Sequence, residues 1–176
     1  PRDWVAMVKA SMQSLCPVFS TDRMVEEYAQ LSYIPSYRQW ARLEANELAL
    51  AKELAAWKKR VFGAWNQVGI EAVEADLSDS IAVGSSLPVS VTVHLGKLDP
   101  ADVAVEGYFG VLDNQGTVRG GETVSLTVQE SLEHGRYRYG GDLECRFCGR
   151  YGFMTRVMPR HKELGLIYES GYLIWG

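Results

Sequence analysis

Cys145-Arg146-Phe147-Cys148-Gly149 has the clearest chemical spacing in the chain. Two thiolates two residues apart can grip one zinc or iron, and a glycine after them permits the tight turn of a metal knuckle. A structural zinc site takes about four ligands. No second C-x-x-C is present, and Cys16, His94, His134 and His161 are scattered. The half-site by itself is expected to be a turn between two strands with one buried and one surface thiol. Spacing leaves open whether Cys145 and Cys148 bind a metal. The pair also lacks a thioredoxin-like βαβ setting, which disfavours redox catalysis.

Other catalytic signatures are missing. There is no G-x-S-x-G, no Walker loop and no dinucleotide fingerprint. Gly140-Gly141 reads as a turn between strands, with no helix behind it to meet a phosphate. Acidic residues are plentiful from Asp76 to Glu144, but alternation puts most on solvent faces, and no glycosidase pair can be picked without geometry. Tyr108, Tyr137, Tyr139 and Trp175 could offer flat rings to a sugar, against the more ordinary expectation that large aromatics are core or interface. Lys58-Lys59-Arg60 is a short basic run placed to favour the negative end of a helix. No catalytic, cofactor-binding or metal-binding residue is therefore designated.

The elements that would position these residues fall into two halves. None of the 17 glycines precedes Gly63, and 15 lie in residues 70–176. Glycine is costly inside helices and useful in turns, so a helical front and a turn-rich β back are expected. A first helix is predicted from Asp3 to Leu15, with Trp4, Val8, Met12 and Leu15 on one face and Pro17 turning Cys16 away from helix. A second, capped by Ser20 or Thr21, carries the stripe Met24, Tyr28 and Leu31 and is expected to end at Pro35. Ser36 and Gln39 read as a capping box for a third, long helix. Its stripe is Trp40, Leu43, Leu50, Leu54, Trp57, Val61 and Trp65, and it should bridge two bodies or lie along one.

After Gly69 the period becomes two. Val89, Val91, Val93 and Leu95 share a face, as do Val103, Val105, Phe109 and Val111; then Val124, Leu126 and Val128; then Tyr151, Phe153, Thr155 and Val157. Turns are read at 97–100, 113–116 and 133–135. About seven strands predict an α+β chain. Its β half is an antiparallel sandwich of immunoglobulin or fibronectin type, with a small barrel as the competing form and Tyr151 as a candidate tyrosine corner. The expected domains are 1–35 (terminal helices of a larger domain), 36–69 (a long linking helix) and 70–176 (the sandwich).

The chain has 176 residues, 47% hydrophobic and 23% charged, as in folded globular protein. Its net charge of −4 argues against a general nucleic-acid binder, and no apolar run approaches a membrane span. Residues 1–69 carry a surplus of positive charge and residues 70–176 a surplus of negative charge. Three cysteines do not make a disulfide framework, so a cytoplasmic location is expected. A start at Pro1 without Met is expected to be a cut inside something longer.

Residues 4–33, and above all Phe19-Ser20-Thr21-Asp22-Arg23-Met24-Val25-Glu26-Glu27-Tyr28-Ala29, resemble the C-terminal end of the catalytic region of α-glucan phosphorylases. The form with Met24 and Val25, after the lead-in from Trp4 to Met12, is most similar to the bacterial and archaeal branch. That branch carries a β-rich C-terminal extension. Residues 70–176 resemble it through Val105 to Gly110, Gly149 to Phe153, Arg156 to Pro159, His161, Leu164-Gly165-Leu166 and Ile174-Trp175. Cys148 stands where relatives tend to have serine, which weakens the metal reading.

The resemblance implies a parent enzyme that cleaves α-1,4-glucan with phosphate to give glucose 1-phosphate, using pyridoxal phosphate bound to a lysine. The cofactor-lysine stretch, like E-A-S-G-T-G-N-M-K, is not in this sequence. The chain is thus expected to hold no cofactor and to be inactive alone. Its expected partners are the rest of the parent catalytic domain, an α-glucan, or a second copy of itself through the exposed stripes of the first two helices. Scaffolding by the β domain ranks above glucan binding.

Overall fold

The computed structural model describes residues 1–75, 82–118, 120–146, 148–164 and 170–176. Phe147, Gly165, Leu166 and Asp76, named above, lie outside the described residues. The chain divides into two compact units, Pro1–Leu54 and Ala55–Gly176.

The first unit is helical. Helix α1 (Arg2–Leu15) is followed by a turn in which the amides of Val18 and Phe19 both bond the Leu15 carbonyl. Cys16 keeps helical geometry (φ −59°, ψ −42°), contrary to the bias expected from Pro17, because the turn closes after the proline. Helix α2 (Thr21–Tyr28) is capped by Ser20, whose hydroxyl accepts from the Arg23 amide at 3.2 Å. Pro35 does not end it. A π-helical turn, Ala29–Tyr33, runs straight into α3 (Ile34–Ala64). The π turn has already shifted the hydrogen-bond register, so the missing proline donor costs little in the first turn of α3. Ser36 is consequently inside a helix and caps nothing.

The long helix is present as α3, but its backbone is interrupted. Ala45 is extended, and Asn46, Glu47 and Leu48 have φ of 53°, 56° and 63°. Only asparagine among these tolerates left-handed backbone readily. The stretch after the break ends in a 3-10 turn, Trp65–Gln67.

In the second unit the expected alternation appears as seven antiparallel strands among the described residues. They are β1 (Gly69–Ala75), β2 (Ser86–His94), β3 (Val103–Val111), β4 (Glu122–Ser131), β5 (Arg136–Glu144), β6 (Tyr151–Pro159) and β7 (Ile174–Trp175). They form one sheet in the order β1-β2-β5-β4-β3-β6-β7. β4 is shared: Glu122–Leu126 pairs with β3, and residues 127–131 pair with β5 across an irregularity at Val128/Glu130. The two ends of the sheet approach each other, where Gly176 lies against Ile70. The result is a nearly closed sheet.

The core follows the predicted faces. Val89, Val91, Val93, Leu95, Val103, Val105, Phe109, Leu126 and Val157 are buried, together with Trp57, Val61 and Trp65 from the helical end. Val128 departs from the pattern and is exposed, next to the β4 irregularity. Gly140 and Gly141 are not a turn but lie inside β5. A Cβ on Gly141 would meet the Leu126 side chain at 2.8 Å, so β4 side chains lie where these residues have none. Tyr151 opens β6 and is half-buried. No described helix is long and apolar enough to cross a membrane.

Candidate functional site

The densest polar arrangement in the second unit centres on Asp102. The sequence Asp99-Pro100-Ala101-Asp102 folds as a 3-10 turn with a proline in its first positions. Asp99 accepts from the Ala101 amide at 2.8 Å, and Asp102 Oδ2 accepts from the Asp99 amide at 3.1 Å. This reciprocal cap fixes the Asp102 carboxylate toward the helix, where it collects three more donors. Trp57 Nε1 donates to Oδ1 at 2.9 Å, Arg60 Nη1 to Oδ2 at 2.6 Å and Arg60 Nη2 to Oδ1 at 2.8 Å. A bidentate guanidinium is the strongest common partner of a carboxylate. The Arg60 hydrogen bonds hold Asp102 below the usual carboxylate range despite burial, and the same pairing raises Arg60.

Trp57 and Arg60 are three residues apart and so share a helix face. The other side of Trp57 packs on His161, with ring centroids 4.8 Å apart, and His161 Nδ1 accepts from the Glu163 amide at 3.2 Å. Phe62 stacks on Tyr172 at 4.7 Å. At the far end of the helix, His94 Nδ1 donates to the Gln67 carbonyl at 2.8 Å. These contacts clamp residues 57–67 to the sheet at both ends. They satisfy polar groups, and among the described residues they present no nucleophile and no vacant ligand set.

A second constellation lies on the outer face of β3, β6 and β7. The register aligns Glu106 with Arg156 and Arg156 with Trp175. Glu106 Oε2 accepts from Arg156 Nε at 2.8 Å and pairs with Nη2 at 2.6 Å, both side chains being almost buried. The Arg156 guanidinium lies 5.6 Å from the Trp175 ring centroid, and the Tyr108 ring meets Trp175 edge-on at 6.5 Å. Of the four aromatics considered for sugar binding, only Tyr108 and Trp175 come together here. Tyr137 and Tyr139 pair in register with Val93 and Val91, on the buried face. Burial pushes the Tyr139 phenol well above its ordinary value, and no hydrogen-bond partner meets its hydroxyl among the described residues.

Cys145 is buried and Cys148 exposed, in the connection from β5 to β6. Among the described residues no group of three or more His, Cys, Asp or Glu is placed to hold a metal. An open concavity of about 490 Å³ is lined by Glu74, Pro88, Ser90, Gln129 and Asp142, among others. It holds a serine without a histidine.

The Asp102 cluster was missed by sequence reasoning, which took Lys97 to Pro100 as a plain turn and Arg60 as a dipole cation. The available signal was D-P-A-D, an acidic capping box with proline at its start. The segments behind the family resemblance land in these two constellations. Glu106, Tyr108 and Arg156 build the outer face, and His161 closes on Trp57.

Comparison with known proteins gives a concordant picture. The family model described as glycogen phosphorylase C-terminal domain matches residues 65–176. A glycogen phosphorylase of Mycobacterium bovis is 31% identical over 172 residues, covering 97% of this chain and 20% of that protein. A glycogen phosphorylase of Mycobacterium tuberculosis gives the same figures. A maltodextrin phosphorylase of Thermococcus litoralis is 32% identical over 177 residues, covering 98% of this chain and 20% of that protein. The chain thus spans about one fifth of the length of these relatives.

Proposed function

This chain belongs to the glycogen phosphorylase C-terminal domain family, and on that premise we propose that it is the non-catalytic C-terminal part of an α-1,4-glucan phosphorylase, acting as scaffold and interface. The observation that carries this is the first unit. Helices α1 and α2 bury no residue, and Trp4, Met7, Met12, Phe19, Val25 and Leu31 are all exposed. Apolar stripes of this kind mark a docking surface. The occupant is the rest of the catalytic domain, which accounts for the remaining length of the relatives. The parent reaction is phosphorolysis of glucan to glucose 1-phosphate.

Pyridoxal phosphate belongs to the parent and does not fit the residues present. A Schiff-base lysine must be held in a desolvated site to titrate near neutral pH. Of the lysines here, Lys9, Lys52, Lys59, Lys97 and Lys162 are exposed and Lys58 is only half-buried. No step through the cofactor is derived for this chain.

The three-part organisation 1–35, 36–69 and 70–176 is kept as a proposal: the end of the catalytic domain, the linking helix and the β domain. From Trp57 onward the linking helix shares its core with the sheet. The finer assignment of the β domain is an immunoglobulin-type sandwich whose fourth strand is shared. In chain order, β1-β2-β5-β4 is the A-B-E-D run and β3-β6-β7 the C-F-G run. The transfer of β4 from β3 to β5 supports that reading; continuous hydrogen bonding of β1 to β7 in an experimental structure would refute it in favour of a closed barrel. Three unpaired cysteines support a cytoplasmic setting.

The test is association. The chain is mixed with its own parent phosphorylase truncated to lack this region, and hydrogen exchange is followed. A stoichiometric complex that protects α1 and α2 is expected. A chain that stays monomeric and unprotected defeats the proposal, and self-association protecting the same helices makes a second copy the occupant instead.

A further inference from the structure

We infer that residues 45–48 are a conformational switch, at which α3 passes between the broken form described above and one continuous right-handed helix, with both forms populated in the chain. The backbone at the break is costly. Asn46, Glu47 and Leu48 are consecutive residues with φ of 53°, 56° and 63° and ψ of 50°, 38° and 27°, a short left-handed turn. For an ordinary L-residue this region crowds Cβ against the following carbonyl oxygen, which disfavours it by about five- to thirtyfold per residue. Glycine would relieve the crowding, and none of the three is glycine. Such backbone persists where the surrounding packing dictates it. Here residues 44–49 are all exposed, Leu48 by 47%. No core around the break locks it in place.

The sequence favours the alternative form. From Ala41 to Leu54 it reads ARLEANELALAKEL, with no proline, glycine or β-branched residue, and every member except Asn46 is a strong helix former. Asn46 is also the one residue of the turn that tolerates left-handed backbone readily, so it keeps the broken form accessible. A right-handed path through residues 45–48 places Trp40, Leu43, Leu50, Leu54 and Trp57 on one face of a single helix. The left-handed turn breaks that phase between Leu43 and Leu50. The switch therefore sets whether Trp40, which is exposed, is in phase with Leu54 and Trp57, which are buried. A partner that binds Trp40 and Leu43 with different affinity in the two phases shifts the population by that difference. The switch is a property of the chain itself and does not depend on the docking of α1 and α2.

The test is a pulsed electron–electron distance measurement on the whole chain. Spin labels are carried by non-natural residues replacing Arg38 and Lys52, both exposed, so that the three cysteines stay untouched. At about 1.5 Å per residue an unbroken helix sets these two positions about 21 Å apart. Two distances are expected, one of them near that value. Asn46→Ala should raise the ratio of the continuous to the broken form by about threefold or more, because alanine is the better helix former and tolerates left-handed backbone less. Glu47→Gly with Leu48→Gly should lower the ratio by about tenfold or more, because glycine relieves the left-handed crowding and weakens the helix. The three positions are exposed, so thermal unfolding of the second unit, followed by tryptophan fluorescence, should be unchanged in the variants. A single distance in the native chain, at the helical value or elsewhere, overturns the inference even if a variant fails to fold. Two distances whose ratio the variants leave unchanged, or move in the same direction, overturn it as well.

Discussion

Replacing Asp102 is the sharpest test of how the helix is held to the sheet. In Asp102→Ala, Trp57 Nε1 loses its acceptor in a buried position, which costs about 1–3 kcal/mol. Arg60 loses both its hydrogen bonds, but its side chain is 53% exposed and can rehydrate, so the ion-pair loss is discounted to about 1 kcal/mol or less. The turn also loses the bond from the Asp99 amide. The expected total is about 2–4 kcal/mol. For a unit of roughly 120 residues this is a fall in Tm of about 8–16 °C. Asp102 sits below its ordinary pKa in the folded state. Its contribution is therefore fully present above the unfolded value of about 3.9, and is lost as pH falls through the lower folded value. Asp102→Asn, which cannot titrate, should remove that part of the acid sensitivity. Thermal unfolding followed by tryptophan fluorescence, at neutral pH and at steps below pH 4, reads both effects. A Tm change under about 2 °C, or an unchanged acid slope in Asp102→Asn, would refute the idea that this carboxylate clamps the helix.

Three further outcomes follow from named contacts. Gly135→Ala should cost about 2–4 kcal/mol, because φ is +72° and a Cβ would lie 2.3 Å from the Gly96 carbonyl oxygen, which is backbone and cannot swing aside; equilibrium denaturation measures it. Glu106→Gln should destabilise by about 2–4 kcal/mol by removing the carboxylate from its almost buried ion pair with Arg156, and the loss should persist in high salt, unlike that of a surface pair. Trp4→Glu with Met12→Glu should leave the chain's main sheet-unfolding transition within about 0.5 kcal/mol of the original, since neither side chain is buried, while abolishing association with the truncated parent in analytical ultracentrifugation.

Local patterns were legible and non-local ones were not. Alternation of Val89, Val91 and Val93 identified a buried face because one wrong register step would expose every member. The α3 stripe identified a long helix, but its break at Ala45–Leu48 carries no proline or glycine, and a left-handed run of ordinary residues has no compositional mark. Pro35 was read as a stop because a π turn before it has no sequence signature. Gly140-Gly141 misled because glycine that makes room for a neighbour looks the same as glycine that makes a turn. The Asp102 and Arg156 constellations join residues more than forty positions apart, so spacing along the chain could not reveal them. The family resemblance marked several of their members without saying what they touch.

The shared strand has a kinetic meaning as well as an architectural one. β4 and β5 can meet through a short connection, with Ser131 opposite Tyr137. The pairings β2–β5 and β3–β6 join residues roughly 40–60 positions apart and must wait for large loops to close. A β4–β5 hairpin formed first would already present a landing edge for β3 on the first half of β4. Slow substitutions should then cluster in β4, since hindering one strand delays both halves of the sheet, whereas changes in β1 or β7 should act mainly on unfolding.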